Sequence, residues 1–147
     1  GVTKYLKGLN VFGIVIITHE NLGEILLSTA ETIVGKLENV VSVSFDSPQK
    51  SESTKKQIEE AIKKVDRGKG IILLTDLFGG TPSNIAISFL NHDNIEVVSG
   101  VNLPMAIKIP FLKNVDNVQE AAKMLKQYGH ESISVASYLL SDNDKTQ

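Results

Sequence analysis

The chain has no cysteine, which excludes disulfides, thiolate nucleophiles and zinc–thiolate centres. Positive charge is not in excess either. With 15 Lys and Arg against 17 Asp and Glu the net charge is -2, which argues against a nucleic-acid binder, whose footprint is a basic patch or a high pI. Histidine is scarce: His19, His92 and His130 stand far apart, with no ligand spacing such as His-x-x-x-His. No metal and no cofactor are expected. Apolar runs are short, and none approaches the roughly 20 residues of a membrane span. Lys4 and Lys7 ahead of the apolar run 11–17 faintly resemble a signal peptide. That run leads, however, into Thr-His-Glu-Asn and not into a small-residue cleavage pattern, so a cytoplasmic protein is expected. Internal repeats, linkers and low-complexity segments are also missing.

What remains is ordinary globular composition over 147 residues, 41% of them hydrophobic, enough for one domain with a real core. That domain is expected over residues 11–140. Residues 1–10 read as an N-terminal extension: the chain opens on Gly1 and not Met, which suggests either a few foreign residues or a piece of a longer chain. Residues 141–147 read as a polar, mobile tail.

Apolar β-rich runs alternate with amphipathic stretches. Val11 to Ile17 is a short β-branched run of the kind buried on both faces of a parallel sheet, and it stops at His19. Leu22, Ile25, Leu26, Thr29, Ile33 and Val34 then fall at helical spacing, with Gly35 as the stop. Residues 40–45 predict a second strand and 51–66 a charged helix with Ile58, Ala61, Ile62 and Val65 inward. Residues 70–76 predict a central third strand, and Thr81-Pro82 opens a helix through Leu90. A fourth strand over 94–99 precedes a short helix from Leu103, bent at Pro110. The last clear helix, 115–128, is expected to close at Gly129, after which 132–136 alternates like a half-buried strand. Strict alternation of this kind predicts an α/β, doubly wound, mainly parallel open sheet with helices on both faces and right-handed crossovers. The last strand, set apart by a long excursion, is expected as an antiparallel edge addition.

Two stretches carry chemistry. His19 ends the first strand, where open α/β sheets place their ligands. Thr75-Asp76-Leu77-Phe78-Gly79-Gly80-Thr81-Pro82-Ser83-Asn84 sits at an equivalent strand end, loop and helix start. Its glycines allow a tight turn that exposes backbone N–H groups, and Thr81 and Ser83 add hydroxyls, a pattern suited to an anion such as phosphate. With strand order 2-1-3-4, strands one and three are neighbours and diverge to opposite faces. His19 and Asp76 then stand side by side, the carboxylate fixing one ring nitrogen and leaving the other as a nucleophile. Taken singly, His19 reads as a loop residue, Asp76 as a turn residue and Gly-Gly as a turn. Their joint placement points to a site. His92 reads as a loop residue, and His130 suits the negative end of a helix dipole.

These stretches also resemble a family. Residues 16–35, the run 74–84 and Ser99-Gly100-Val101-Asn102-Leu103-Pro104-Met105 are similar, in order and spacing, to three signatures of the mannose-family IIA component of the bacterial phosphoenolpyruvate-dependent sugar phosphotransferase system. The likeness runs from about Val11 to the last strand. It implies that His19 accepts a phosphoryl group from the phosphocarrier HPr and passes it to a IIB component, reaching a membrane permease only indirectly. Asp76 would orient His19, while Gly79, Gly80 and Thr81 would line the phosphoryl site. The resemblance also implies a homodimer that exchanges the last strand, and a Gly-Val-Asn-Leu-Pro-Met stretch near the partner-docking surface. One departure stands out: Glu20 follows the histidine where the family usually has glycine. A carboxylate there would repel a phosphoryl group unless it points to solvent.

The expected function is therefore a phosphoryl-carrier transferase serving sugar uptake. The alternative is a regulatory module whose phosphorylation state is read by a partner, without sugar transport. A flavin or nucleotide binder is disfavoured, because the loop after the first strand holds His-Glu-Asn where a Ser/Thr-rich phosphate loop would stand.

Overall fold

The computed structural model describes residues 11–77, 79–92 and 94–141. The N-terminal extension, Phe78 and nearly all of the polar tail lie outside the described residues.

Four parallel strands, β1 (Gly13–His19), β2 (Val40–Phe45), β3 (Ile71–Thr75) and β4 (Ile95–Ser99), form one sheet in the order β2-β1-β3-β4. The two central strands are buried on both faces, which is why their sequences read as continuous apolar runs. Side chains alternate between two cores. Ile14, Ile16, Ile72 and Leu74 face helices α1 (Leu22–Val34), α4 (Leu103–Lys108) and α5 (Val118–Glu131). Val15, Ile17, Ile71 and Leu73 face α2 (Ser51–Val65) and α3 (Thr81–Ile87). Ile16, Ile17, Leu73 and Leu74 are fully buried, each contributing roughly 1.5–3 kcal/mol of apolar transfer. The doubly wound α/β sheet is thus as expected, and the strand ends that carry His19 and Asp76 lie side by side.

The first helix runs over Leu22–Val34 and stops at Gly35 as expected, and two later expectations are corrected. The sheet-facing side of α1 is built on Gly23 and Ala30, with Leu26, Leu27 and Val34 half-buried, while Leu22, Ile25 and Ile33 are exposed. The helix start lies too close to β1 for large residues: a Cβ on Gly23 would come 3.1 Å from Ile16 Cγ2. The last long helix begins at Val118, capped by Asn117 Oδ1 on the Glu120 N–H at 2.9 Å, and runs through Gly129 to Glu131. Gly129 is a packing glycine, since a Cβ there would stand 2.9 Å from Met105 Cε and 3.2 Å from Asn102 Oδ1.

The other correction is the last strand. Among the described residues, 133–135 pair with no strand, and a short helix, α6 (Ala136–Leu139), comes next. A strand requires a ladder partner. Here the Ser132 and Ile133 N–H groups donate back to the carbonyls of Tyr128 and His130, finishing α5. The apolar side chains stay uncovered, with Ile133 75% exposed.

Candidate active site

His19 is the last residue of β1, in register with Phe45 at the end of β2, while Ile17 is opposite Thr75 on β3. Asp76 comes directly after β3, so the parallel register brings its carboxylate beside the His19 backbone and ring. Asp76 Oδ2 accepts the His19 backbone N–H at 2.9 Å and stands 2.9 Å from ring Nδ1. A carboxylate only accepts, so Nδ1 carries the proton of this bond, and in the neutral ring Nε2 is the nitrogen left with its lone pair. Asp76 Oδ1 accepts the Leu77 N–H at 3.0 Å. The aspartate side chain is 9% exposed and the histidine 45%. Partial burial works to raise the Asp76 pKa. The hydrogen bonds from His19 backbone and ring, the attraction of the imidazolium and the Leu77 N–H outweigh it, so the carboxyl is held below its ordinary value.

The ring is held from other sides as well. Phe45 packs against it in a T-shaped arrangement, with centroids 5.8 Å apart and planes at 86°. A Cβ built on Gly80 would lie 3.3 Å from His19 Cε1 and 3.8 Å from Nε2. Gly80 therefore lets the loop approach the reactive edge of the imidazole. Gly79 has φ +91 with open space around it, so its requirement is conformational. Gly80 is also the N-cap of α3, Thr81 its half-buried first residue, and Pro82 stands next in the first turn. Gly80 is thus the loop residue beside the Cε1–Nε2 edge of the ring, with Gly79 and Thr81 its neighbours in the chain. Ser83 does not join them: it is fully buried, with its Oγ unpartnered, and offers no hydroxyl to a ligand at the surface. His92 and His130 are remote from the pair, His92 tilted against the Phe89 ring and His130 in the last turn of α5.

Supporting contacts absent from the sequence-based site fix both strand ends. Thr18, fully buried, accepts the Gly23 N–H on Oγ1 at 2.8 Å and so caps α1, which Asn21 at the N-cap position does not. The Thr75 carbonyl accepts the Gly100 and Val101 N–H groups at 2.9 Å, and Thr75 Oγ1 donates to Ser99 Oγ at 2.8 Å. The Gly-Val-Asn-Leu-Pro-Met stretch therefore clamps the strand that carries Asp76. Asn102 within it caps α4 through the Met105 N–H at 3.0 Å and donates to the Gly129 carbonyl at 3.1 Å. Phe45 was within reach of sequence reasoning: the order 2-1-3-4 that puts Asp76 beside His19 puts the end of β2 on its other flank. The Thr18 cap had no such signal.

Residues 13–135 match the family model EIIA-man, described as the PTS system fructose IIA component. The chain is 32% identical over 122 residues to the PTS system mannose-specific EIIAB component of Escherichia coli (strain K12), covering 82% of this chain and 38% of that protein. It thus spans well under half the length of this curated relative. It is 26% identical to the PTS system fructose-specific EIIA component of Bacillus subtilis (strain 168), over 86% of this chain and 88% of that one. Among solved structures, the mannose/sorbose specific IIA subunit of the phosphotransferase system from Enterococcus faecalis superposes with a TM-score of 0.75 at 29% identity. That match covers 85% of this chain and 94% of the other.

Proposed function

The chain belongs to the EIIA-man family of PTS IIA components, and on that premise we propose that it is a phosphoryl carrier whose nucleophile is His19. Nε2 attacks the phosphorus of phospho-HPr in line. The P–N bond to the donor imidazole breaks, and its electron pair stays on the donor nitrogen as the bond to Nε2 forms. Asp76 keeps the proton on Nδ1 and stabilises the positive charge the phosphorylated ring acquires. Gly79, Gly80 and Thr81 hold the phosphoryl oxygens through backbone N–H groups and one hydroxyl. Positioning and electrostatics supply the acceleration, as is general for phosphoryl transfer. The reverse sequence hands the group to a IIB component, and through it to a sugar entering by a permease.

The observation that carries this reading is the 2.9 Å contact between His19 Nδ1 and Asp76 Oδ2, which leaves one ring nitrogen for chemistry. We assign the protein to the cytoplasm, where such a relay operates; among the described residues no helix is long and apolar enough to cross a membrane. A homodimer is proposed as well. β4 is an edge strand, and the uncovered Ile133 and Val135 would gain a ladder and apolar cover from a second copy.

The test is transfer of labelled phosphate from phosphoenolpyruvate through Enzyme I and HPr. Wild-type protein is expected to take up an acid-labile label and His19→Ala none. An unlabelled wild type, or a labelled His19→Ala, contradicts the reading.

A further inference from the structure

His19 and Phe45 are register partners at the ends of β1 and β2, so their side chains leave the sheet on one face. It is the face of Val15, Ile17 and Val43, which pack in the core under α2 and α3. Phe45 is 4% exposed, yet it belongs to neither apolar core. Its ring meets the imidazole in a T-shaped contact with centroids 5.8 Å apart, an arrangement that aromatic pairs favour. Its carbonyl accepts the Glu20 N–H at 3.0 Å. Phe45 thus holds the end of β1 twice, through the backbone of the residue after the histidine and through the histidine ring itself.

Asp76 leaves one degree of freedom open. Its Oδ2 receives Nδ1 at 2.9 Å, which fixes one atom of the ring and selects the nitrogen that carries the proton. A hydrogen bond to one atom does not fix a plane, and the broad χ2 wells of a histidine do not fix it either. Gly80 brings no side chain to the ring, and the histidine side chain is 45% exposed. The plane matters because the lone pair of an sp² ring nitrogen lies in it. In-line attack needs that lone pair aimed at the phosphorus, and a reacting group must be held within roughly 10–20° of its productive geometry.

We propose that Phe45 is a positioning residue for phosphoryl transfer: its side chain sets the plane of the His19 ring, and with it the direction of the Nε2 lone pair. This rests on the carrier reading above. Phe45 exchanges no proton and acts through the ring it holds, while Asp76 chooses the nitrogen. The two residues therefore fail differently. Loss of the carboxylate releases the tautomer. Loss of the Phe45 ring leaves the proton on Nδ1 and lets the imidazole swing about that bond.

The experiment joins two measurements on wild type, Phe45→Leu and Phe45→Tyr. One is single-turnover labelling over a range of phospho-HPr concentrations, which gives a limiting rate and a half-saturating concentration. The other is nuclear magnetic relaxation of the His19 ring carbons, with the ring nitrogen shifts reporting the tautomer. Phe45→Leu keeps apolar volume and removes the flat ring. Its limiting rate is expected to fall about tenfold, with the half-saturating concentration within about twofold of wild type. The ring order parameter falls with the rate, and the proton stays on Nδ1. Phe45→Tyr, which keeps the ring, retains most of the rate. Phe45→Met is read in place of Phe45→Leu if the latter does not fold. An unchanged limiting rate, a loss confined to the half-saturating concentration, or a slower rate with the ring as ordered as before overturns the proposal and leaves the carrier reading intact. So does a His19 ring that already reorients freely in the wild type, which needs no variant to detect. Absence of label on the wild type overturns both.

Discussion

A single oxygen, Asp76 Oδ2, accepts from His19 twice, once from the backbone N–H and once from ring Nδ1, both at 2.9 Å. The first bond ties the carboxylate to the end of β1, so the second acts on a ring whose position is already set. Replacing Asp76 with Ala removes a charge-assisted hydrogen bond of about 1.5–3 kcal/mol. The phosphoryl-transfer rate is expected to fall by roughly one to two orders of magnitude. Single-turnover labelling at saturating phospho-HPr checks this, and an unchanged rate would show that the imidazole needs no orienting group.

Gly80 is the contact through which the loop meets the reactive edge of the ring. In Gly80→Ala the new methyl would stand 3.3 Å from His19 Cε1 and 3.2 Å from Leu77 Cδ1, so ring or loop must give. Labelling is expected to drop severalfold while stability changes by no more than about 1 kcal/mol, since Gly80 is a half-buried N-cap whose neighbours are side-chain ends. Paired kinetics and urea unfolding separate the two effects. Loss of the fold in Gly80→Ala would contradict this placement.

Gly129 serves packing between α4 and α5. A methyl there would press on Met105 and Asn102, an overpacking worth about 1–3 kcal/mol, against which the helix propensity gained over glycine offsets about 1 kcal/mol. A net lower urea midpoint is expected for Gly129→Ala. A higher midpoint would mean that the glycine weakens α5 without serving the contact.

The depressed pKa of Asp76 links stability to pH. Its charged form is favoured by folding, so the contribution is complete above the unfolded-state value of about 4 and is lost as pH falls through the lower native value. The unfolding free energies of wild type and Asp76→Asn are therefore expected to differ near neutrality and to converge in acid. Titrating both by urea unfolding across this range checks the sign. A gap that widens on acidification would contradict it.

Strand order and the meeting of His19 with Asp76 were readable in the sequence because β1 and β3 are buried on both faces, and buried parallel strands announce themselves as unbroken apolar runs. The facing of α1 was not. Periodicity marks Leu22, Ile25 and Ile33 as a stripe, yet the sheet accepts Gly23 and Ala30 because it comes too near for larger residues. Gly129 misled for a related reason: a glycine near a helix end signals a stop, whereas this one makes room for Met105. The run from Ser132 to Ala136 has strand alternation but no partner among the described residues, and alternation alone does not say where a ladder will come from. Ser83 reads as a hydroxyl donor in the anion loop and is instead turned into the interior.

The most direct measurement is of which nitrogen carries the phosphate. Long-range nitrogen–proton correlation spectra of the histidine rings, before and after phosphorylation through HPr, distinguish Nε2 from Nδ1 at each residue. The expected result is phosphate on Nε2 of His19, with Nδ1 still protonated against Asp76 and with His92 and His130 unmodified. Phosphate on Nδ1 of His19, or on either of the other two rings, would contradict the role given to Asp76 and the geometry on which the carrier mechanism stands.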